Sequence, residues 1–129
     1  MSMKVVWELM VLVADSGTVL ERWFREYERK AKNKDLRART DSYLRRLVVI
    51  PPGKWPFPTY RPLGPIGEIR FDLHNVEYRI YGYFGPGARQ FTMIKACSGK
   101  QGQQQDITAA KKLKKQLDTI NPKLEKYNV

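Results

Sequence analysis

Apolar and polar residues alternate along residues 67 to 84, on both sides of a polar break at His74 and Asn75. This period of two predicts a β-hairpin, in which successive side chains point to opposite faces of the sheet. The residues expected to face the core are Ile69, Phe71, Leu73, Tyr78, Ile80 and Phe84. The opposite, open face is expected to carry Glu68, Arg70, Asp72, Arg79, Tyr81 and Tyr83. Two arginines and two tyrosines on an open face suit a phosphate chain and its bases, although cross-strand ion pairs without a function would explain the same pattern.

A strand, two helices and a proline-rich connector are predicted before this hairpin. Residues 3 to 14 carry apolar side chains on both faces, which predicts a strand buried on much of both sides. Thr18 and Glu21 match a capping box, which predicts the start of a helix, and a second helical stripe follows over residues 36 to 47. Residues 51 to 66 contain six of the eight prolines and predict an irregular connector that packs over one sheet edge.

A third strand over residues 89 to 96 extends the hairpin into an antiparallel meander. A polar loop over residues 97 to 105 follows, and Asp106 is expected to cap a last helix. The pattern thus predicts an α+β fold in a single domain over residues 1 to 129. Its elements are an N-terminal strand, a two-helix hairpin, an antiparallel β-meander and a C-terminal helix.

The charge of the chain indicates a polyanionic partner. There are 24 Lys and Arg residues against 13 Asp and Glu, which gives a net charge of +11 and a pI near 9.9. Nucleic acid is the first candidate and an acidic protein the second. The predicted helix pair is especially basic, with eight Lys or Arg against two Asp from Arg29 to Arg46. Such a face attracts phosphates at long range, and an ordinary solvated helix surface is the alternative.

The single cysteine and the single histidine exclude several kinds of site. One cysteine, Cys97, leaves no intramolecular disulfide, and one histidine, His74, makes a zinc site or a Ser-His-Asp triad implausible. The chain has no glycine-rich phosphate loop and no apolar run that approaches the ~20 residues of a spanning helix. We also expect no signal peptide before the first strand. We therefore expect a cytoplasmic protein with no metal, no small-molecule cofactor and no membrane partner.

Four short segments carry a more specific pattern, and they are followed by a lysine-containing loop and an alanine-rich helix. The segments are Tyr43–Leu47, Leu63–Arg70, Tyr78–Tyr81 and Phe91–Ile94. Together with the predicted order of elements, they resemble the RelE/ParE toxin superfamily, and within it the HigB-like, phage-derived branch of type II toxin–antitoxin systems. The loop departs from the pattern of that branch, because Gly99 replaces a lysine and glutamines at 103 to 105 replace a proline.

The resemblance implies an mRNA endoribonuclease that acts on the ribosome without metal and binds an acidic antitoxin. Its catalytic residues match Arg70, Arg79 and Lys100 of this chain. The two arginines are expected to clamp the scissile phosphate, Lys100 to assist from the loop, and Glu68 to act as a base or to orient Arg79. The residues predicted to bind RNA are Tyr81, Tyr83, Lys95, Lys111, Lys112, Arg37 and Arg45.

Two alternatives to the endoribonuclease remain open. One is a non-catalytic, basic RNA- or protein-binding module of the same fold, in which the same arginines only bind. The other is a gyrase inhibitor of the ParE kind.

Overall fold

A computed structural model describes residues 7–30, 35–51, 54–56, 59–99 and 102–129. Within these ranges the protein is a mixed α+β fold of three helices and a seven-stranded sheet. The strands are β1 (Glu8–Ala14), β2 (Gly17–Thr18), β3 (Tyr60–Leu63), β4 (Ile66–Leu73), β5 (Val76–Phe84), β6 (Gln90–Ser98) and β7 (Leu124–Lys126). The helices are α1 (Val19–Lys30), α2 (Leu36–Leu47) and α3 (Gln103–Leu117). The strand order is β2-β1-β6-β5-β4-β3, and β7 also pairs with β1.

The predicted hairpin is confirmed and forms the centre of the sheet. β4 and β5 pair antiparallel from Gly67 opposite Gly82 to Leu73 opposite Val76. His74 and Asn75 form the turn with φ values of 53° and 65°, the left-handed conformation that a two-residue hairpin turn requires. β6 pairs antiparallel with β5 and completes the predicted meander.

The sheet as a whole is not antiparallel like the meander, because β1 lies parallel to β6, with Val11 opposite Met93. The chain between these strands is long and includes two helices, so it can return beside β1 in either direction. The predicted strand over residues 3 to 14 is confirmed from Glu8 to Ala14, and its first residues lie outside the described ranges. β2 and β7 are too short to show an alternating pattern, and the sequence did not predict them.

The proline-rich connector packs over one sheet edge, as predicted, but it is not irregular throughout. Its last residues form β3, an edge strand that pairs with β4 and contains Pro62. Trp55 is buried, and its indole N–H donates to the carbonyl of Ile50 at 2.7 Å and of Leu47 at 2.9 Å. These bonds hold the connector against the end of α2.

The helices α1 and α2 cover one face of the sheet and build the main core. Thr18 Oγ1 accepts a hydrogen bond from the Glu21 N–H at 3.1 Å, which confirms the helix start and the cap at Thr18. The Glu21 carboxylate bonds to Arg37, so the structure shows only the Thr18 half of the predicted capping box. The main core contains Leu20, Trp23, Phe24, Leu36 and Leu44 from the helices and Ile69, Phe71, Tyr78 and Ile80 from the sheet. Phe84 also contacts rings of this core but remains 43% exposed at its edge.

The second face of the sheet, which was expected to be open, is covered by α3. Ile107 and Ala110 of α3 pack on Ile66 and Tyr81 in a second apolar cluster. α3 begins at Gln103 after Gly102, whose φ of 78° suits a glycine, so Asp106 lies in the first turn and is not the cap that the sequence predicted. The sheet therefore lies between two helical layers.

Across the described ranges, no helix combines the length and the apolar character needed to cross a bilayer.

Candidate functional site

The two arginines singled out by the sequence lie side by side on adjacent strands. Arg70 of β4 is opposite Arg79 of β5 in the antiparallel register, so both side chains leave the same face of the sheet. Glu77 lies between them, with one carboxylate oxygen 3.5 Å from Arg70 Nη1 and the other 3.6 Å from Arg79 Nη1. The sequence therefore correctly predicted that Arg70 and Arg79 share one face.

The exposure of Arg79, however, was predicted wrongly. Its side chain is completely buried under α3, and Nη2 donates to Asp106 Oδ2 at 3.0 Å. Removing a guanidinium from water costs desolvation free energy. Burial of Arg79 is possible because two carboxylates, from Glu77 and Asp106, surround its charge. In this arrangement Arg79 does not reach a phosphate in solvent.

Asp106 is the partner of Arg79 that the sequence analysis missed, because its position predicted a helix cap. Glu77 is one of the carboxylates that the sequence offered for cross-strand ion pairs with the arginines, and the structure confirms these pairs. A buried arginine requires a carboxylate partner, but its burial could not be inferred from an alternating strand whose polar face was taken to be open. Among the described residues, Arg79 Nε and Nη1 and Glu77 Oε2 have no hydrogen-bond partner, so the cluster is held by charge more than by hydrogen bonds.

Glu68 neither orients Arg79 nor is available as a general base. It is 1% exposed, and its carboxylate lies 3.2 Å from Arg61 Nη2 and accepts from Gln103 Nε2 at 3.4 Å. Its partners are therefore on β3 and α3, and the role of orienting Arg79 belongs to Glu77 and Asp106.

The two tyrosines expected to stack on bases differ in exposure. Tyr81 is completely buried beneath α3, and burial, followed by the neighbouring Glu68 charge, raises the pKa of its phenol far above the usual range. Tyr83 is half-buried, and Lys114 Nζ lies 4.7 Å from its ring centroid in a cation–π contact. The Tyr81 ring is therefore not available for base stacking, and the prediction of an open stacking surface is wrong at this residue. At Tyr83, Lys114 occupies one position over the ring.

The predicted basic residues do not form one surface. Lys95 on β6 lies opposite Tyr81, which α3 covers, and Lys111 and Lys112 are exposed residues of α3 itself. These three lysines therefore lie on the side of the sheet that α3 covers. Arg37 and Arg45 lie on α2, which packs on the opposite face. An RNA strand bound on one face of the sheet therefore cannot contact all of the residues that were predicted to bind RNA.

Contacts within the protein occupy most of the Arg37 guanidinium. Its guanidinium donates to both carboxylate oxygens of Glu21 at 2.8 Å and lies 4.6 Å from the Phe24 ring centroid. The bidentate bond raises the pKa of Arg37 and lowers that of Glu21. Arg45 is exposed and remains available for an anion.

Lys100, the third predicted catalytic residue, lies outside the described residues. Within the described ranges, no three His, Cys, Asp or Glu side chains come together as the ligands of a metal ion would. His74 is exposed at the hairpin turn, with Nε2 3.6 Å from Asp35 Oδ2.

Comparison with protein-family models, curated proteins and solved structures finds no match to this chain.

Cys97 lies opposite Arg79 on β6 and is expected to be an unreactive thiol. Burial raises its pKa to about 11. At pH 8 we expect alkylation by iodoacetamide to be roughly 10²-fold slower than for a free thiol with a pKa near 8.5, because the thiolate is the reactive species. The rate should keep rising about tenfold per pH unit up to pH 10. The same chain unfolded in guanidinium chloride is the control. If the alkylation rate of the folded protein stops rising near pH 9, the burial of this thiol is contradicted.

Proposed function

We propose that this chain is the toxin of a type II toxin–antitoxin system, with a RelE/ParE-like fold, and that it cuts mRNA on the ribosome without metal. The supporting observation is the placement of Arg70 opposite Arg79, with Glu77 between them, on the two strands whose motifs resemble this superfamily. The order of β1, α1, α2, the antiparallel strands β4 to β6, and α3 supports the same proposal.

In this proposal the two arginines have different roles. Arg70 is 28% exposed and is the one that contacts the scissile phosphate. Arg79 is a positioning residue, because its buried charge holds Glu77, which in turn contacts Arg70. This division differs from the bidentate clamp by both arginines that the sequence predicted.

In RNA cleavage the 2′ oxygen forms a bond to phosphorus, the bond from phosphorus to the 5′ oxygen breaks, the 2′-hydroxyl loses a proton and the leaving 5′ oxygen gains one. In this proposal solvent water accepts the first proton and supplies the second. The reaction also requires an in-line geometry and stabilisation of negative charge on the non-bridging phosphate oxygens. The ribosome aligns the message, and Arg70 supplies the charge stabilisation at the phosphate. The protonated Tyr81 phenol and the buried Glu68 carboxylate lie beneath α3 and take no direct part. Lys95 and the exposed lysines of α3 provide further positive charge on the same side of the sheet.

An acidic antitoxin is the proposed protein partner. The net charge of +11 and the exposed basic residues of α1, α2 and α3 favour association with an acidic surface. A helix of that partner laid over the basic surface would neutralise it and block access to RNA.

Primer extension on a message in a translating extract tests this function directly. With the protein added, we expect new 5′ ends within codons of ribosome-bound mRNA, and no such ends when translation is blocked before initiation. If translation and the message stay intact while DNA is damaged on expression in cells, the target is gyrase, as for a ParE-like toxin.

A non-catalytic RNA-binding module is the second candidate, and the charge balance at the arginines favours it. Arg70 and Arg79 are neutralised by Glu77 and Asp106, so the cluster as a whole carries no net charge. A phosphate must then compete with Glu77 for Arg70. RNA binding with a steep salt dependence but no cleavage product would establish this candidate in place of the first.

The salt dependence of binding should show which face of the protein contacts RNA. We expect the double substitution of Lys111→Gln and Lys112→Gln to reduce the slope of log K against log salt for single-stranded RNA by about 1.4, since each phosphate contact contributes roughly 0.7. Arg45→Gln, on the opposite helical layer, is the matched comparison and should leave the slope unchanged. Fluorescence anisotropy over a salt series measures both. If the slope falls for Arg45→Gln and not for the lysine pair, RNA binds on the side of α2.

A further inference from the structure

An apolar hollow of about 690 Å³ lies at the C-terminal end of α2, the helix that packs on the face of the sheet opposite to α3. We call it the α2 hollow. Val48 is its most buried residue, at 3% exposed, and the other aliphatic side chains of the lining are half-buried. These aliphatic residues are Val48, Val49, Ile50 and Val129.

Hydrogen bonds fix the backbone around the α2 hollow. The Val48 N–H donates to the Leu44 carbonyl at 3.1 Å, which continues the helical turn. The Ile50 N–H donates to the Leu47 carbonyl at 3.0 Å. The Val48 carbonyl in turn accepts from the Trp7 N–H at 3.0 Å, which joins this turn to the residue before β1. The shape of the hollow is thus set before any partner binds, and binding to a preorganised surface loses little conformational entropy.

The α2 hollow is positively charged. Arg45 and Arg46 line it and are exposed, and no carboxylate side chain of the described residues contributes to the lining. Within the described part of the chain, neither guanidinium has a carboxylate within ion-pair distance. The Arg46 guanidinium lies 5.2 Å from the Tyr43 ring centroid, a cation–π contact that helps to hold it in place. Even against the main-chain carboxylate of Val129, the two guanidiniums leave the hollow positive.

The dipole of α2 explains only part of this arrangement. Arg45 and Arg46 lie in the last turn of the helix, where a cation stabilises the negative end of the dipole. That interaction does not require an apolar hollow beside the two arginines. The hollow and the unpaired charges together therefore indicate a surface for a partner.

The combination of arginines with aliphatic side chains favours an acidic protein over other polyanions. An RNA strand binds through phosphates and through stacking of bases on aromatic rings, and no aromatic side chain of the described residues lines this hollow. A bilayer takes up apolar side chains that protrude from a surface, whereas these line a recess. Protein interfaces, in contrast, combine a buried apolar centre with arginine.

We propose that the α2 hollow binds an acidic amphipathic helix of a partner protein. None of the described lining residues belongs to a strand, so the hollow has no strand edge to which an extended segment could pair. In a helix, apolar side chains at positions i, i+3 and i+4 enter the hollow, and carboxylates beside them bond to Arg45 and Arg46. A second copy of this chain is a poorer occupant, because a symmetric contact brings the same arginines of both copies together.

Titration with a designed peptide tests the charge requirement. The probe is a capped helical peptide of about 18 residues, with leucine at i, i+3, i+4 and i+7 and glutamate on both sides of this stripe. The double substitution Arg45→Gln and Arg46→Gln should weaken its binding by about tenfold or more, as measured by calorimetry. The pair Lys111→Gln and Lys112→Gln makes the same change in net charge on the other side of the sheet and should leave the affinity within about twofold. Equal losses in the two double variants would show general attraction to a basic protein and would overturn the proposal.

The variant Val49→Ser tests the apolar requirement. Val49 is half-buried in the lining, and its replacement should weaken binding of the glutamate–leucine peptide by about tenfold. Val76→Ser makes the same chemical change at an exposed valine beside the hairpin turn and should bind normally. Circular dichroism shows whether both variants fold. If Val49→Ser is unfolded, a peptide with serine in place of leucine decides the question, and unchanged binding of that peptide rules out the apolar contact.

A photocrosslinking benzophenone side chain at position 49 of the full chain identifies the occupant directly. We expect crosslinks to the glutamate–leucine peptide when it is present. Crosslinks in the free protein to residues 1 to 6 or to a second copy would show that this chain itself fills the hollow and would overturn the proposal. Loss of binding to single-stranded RNA or to phosphatidylserine vesicles in Val49→Ser, with peptide binding unchanged, would replace the acidic protein by that ligand. Each of these readouts is binding, so a failure to cut mRNA has no bearing on them.

Discussion

Replacing Arg79 with alanine is expected to lower the free energy of unfolding by about 3–5 kcal/mol. The substitution leaves the Asp106 and Glu77 carboxylates without the buried guanidinium that now compensates them, and it opens a cavity beneath α3. This is a large fraction of the roughly 5–15 kcal/mol that stabilises a typical domain. Urea denaturation followed by circular dichroism measures the change.

A double-mutant cycle shows whether the loss comes from the buried pair. Asp106→Asn and Arg79→Met are the single changes, and we expect a coupling energy of about 1–3 kcal/mol between them. Lys112→Ala, exposed on the same helix, is the control and should stay within about 0.5 kcal/mol of the wild type. Unfolding of Arg79→Ala at the urea concentration of the wild type would show that Arg79 is not buried against these carboxylates.

This stability effect also decides which arginine can be used to test catalysis. Loss of toxicity in Arg79→Ala would follow from unfolding as readily as from a missing phosphate contact. Arg70 is the informative position, since its side chain is partly exposed and its only ion pair among the described residues is with Glu77.

The variant Arg70→Ala is expected to cut mRNA about 10²–10³-fold more slowly than the wild type, because it removes the charge that stabilises the phosphate in the transition state. Its stability should change by no more than about 1 kcal/mol, since a partly exposed ion pair contributes little. Quantitative primer extension in a translating extract gives the rate, and urea denaturation gives the stability.

The conservative variant Arg70→Lys separates charge from geometry. It keeps the positive charge but lacks the planar pair of donors, so we expect an intermediate rate. Cleavage by Arg70→Ala at the wild-type rate would remove Arg70 from the proposed site. If neither the wild-type protein nor any Arg70 variant cuts mRNA, but all of them bind RNA with an affinity that depends on salt, the protein is the non-catalytic RNA-binding module.

The hairpin illustrates what an alternating pattern can establish. The register of β4 and β5, the turn at His74 and Asn75 and the shared face of Arg70 and Arg79 all follow from a strand period of two and from a short turn. These are local properties, so a single sequence contains enough information to predict them. The helix cap at Thr18 and the α2 stripe are local in the same sense.

The errors arose where an element meets a distant part of the chain. The parallel pairing of β1 with β6 joins residues about 80 positions apart, and no local pattern specifies its direction. β3 and β7 are edge strands defined by their partners rather than by their own composition. A pattern of alternation also cannot distinguish a solvated polar face from one that a later helix covers.

The sequence by itself thus determined the α+β class, the central hairpin and the side-by-side placement of Arg70 and Arg79, because each depends on residues close together in the chain. Only the tertiary structure decided that α3 covers this face, that Arg79 and Tyr81 are buried, and that Arg70 remains in reach of solvent. The physical reason is that a buried guanidinium is stable only when carboxylates from separate elements meet around it. Here Glu77 comes from the same strand, but Asp106 comes from a helix 27 residues further along.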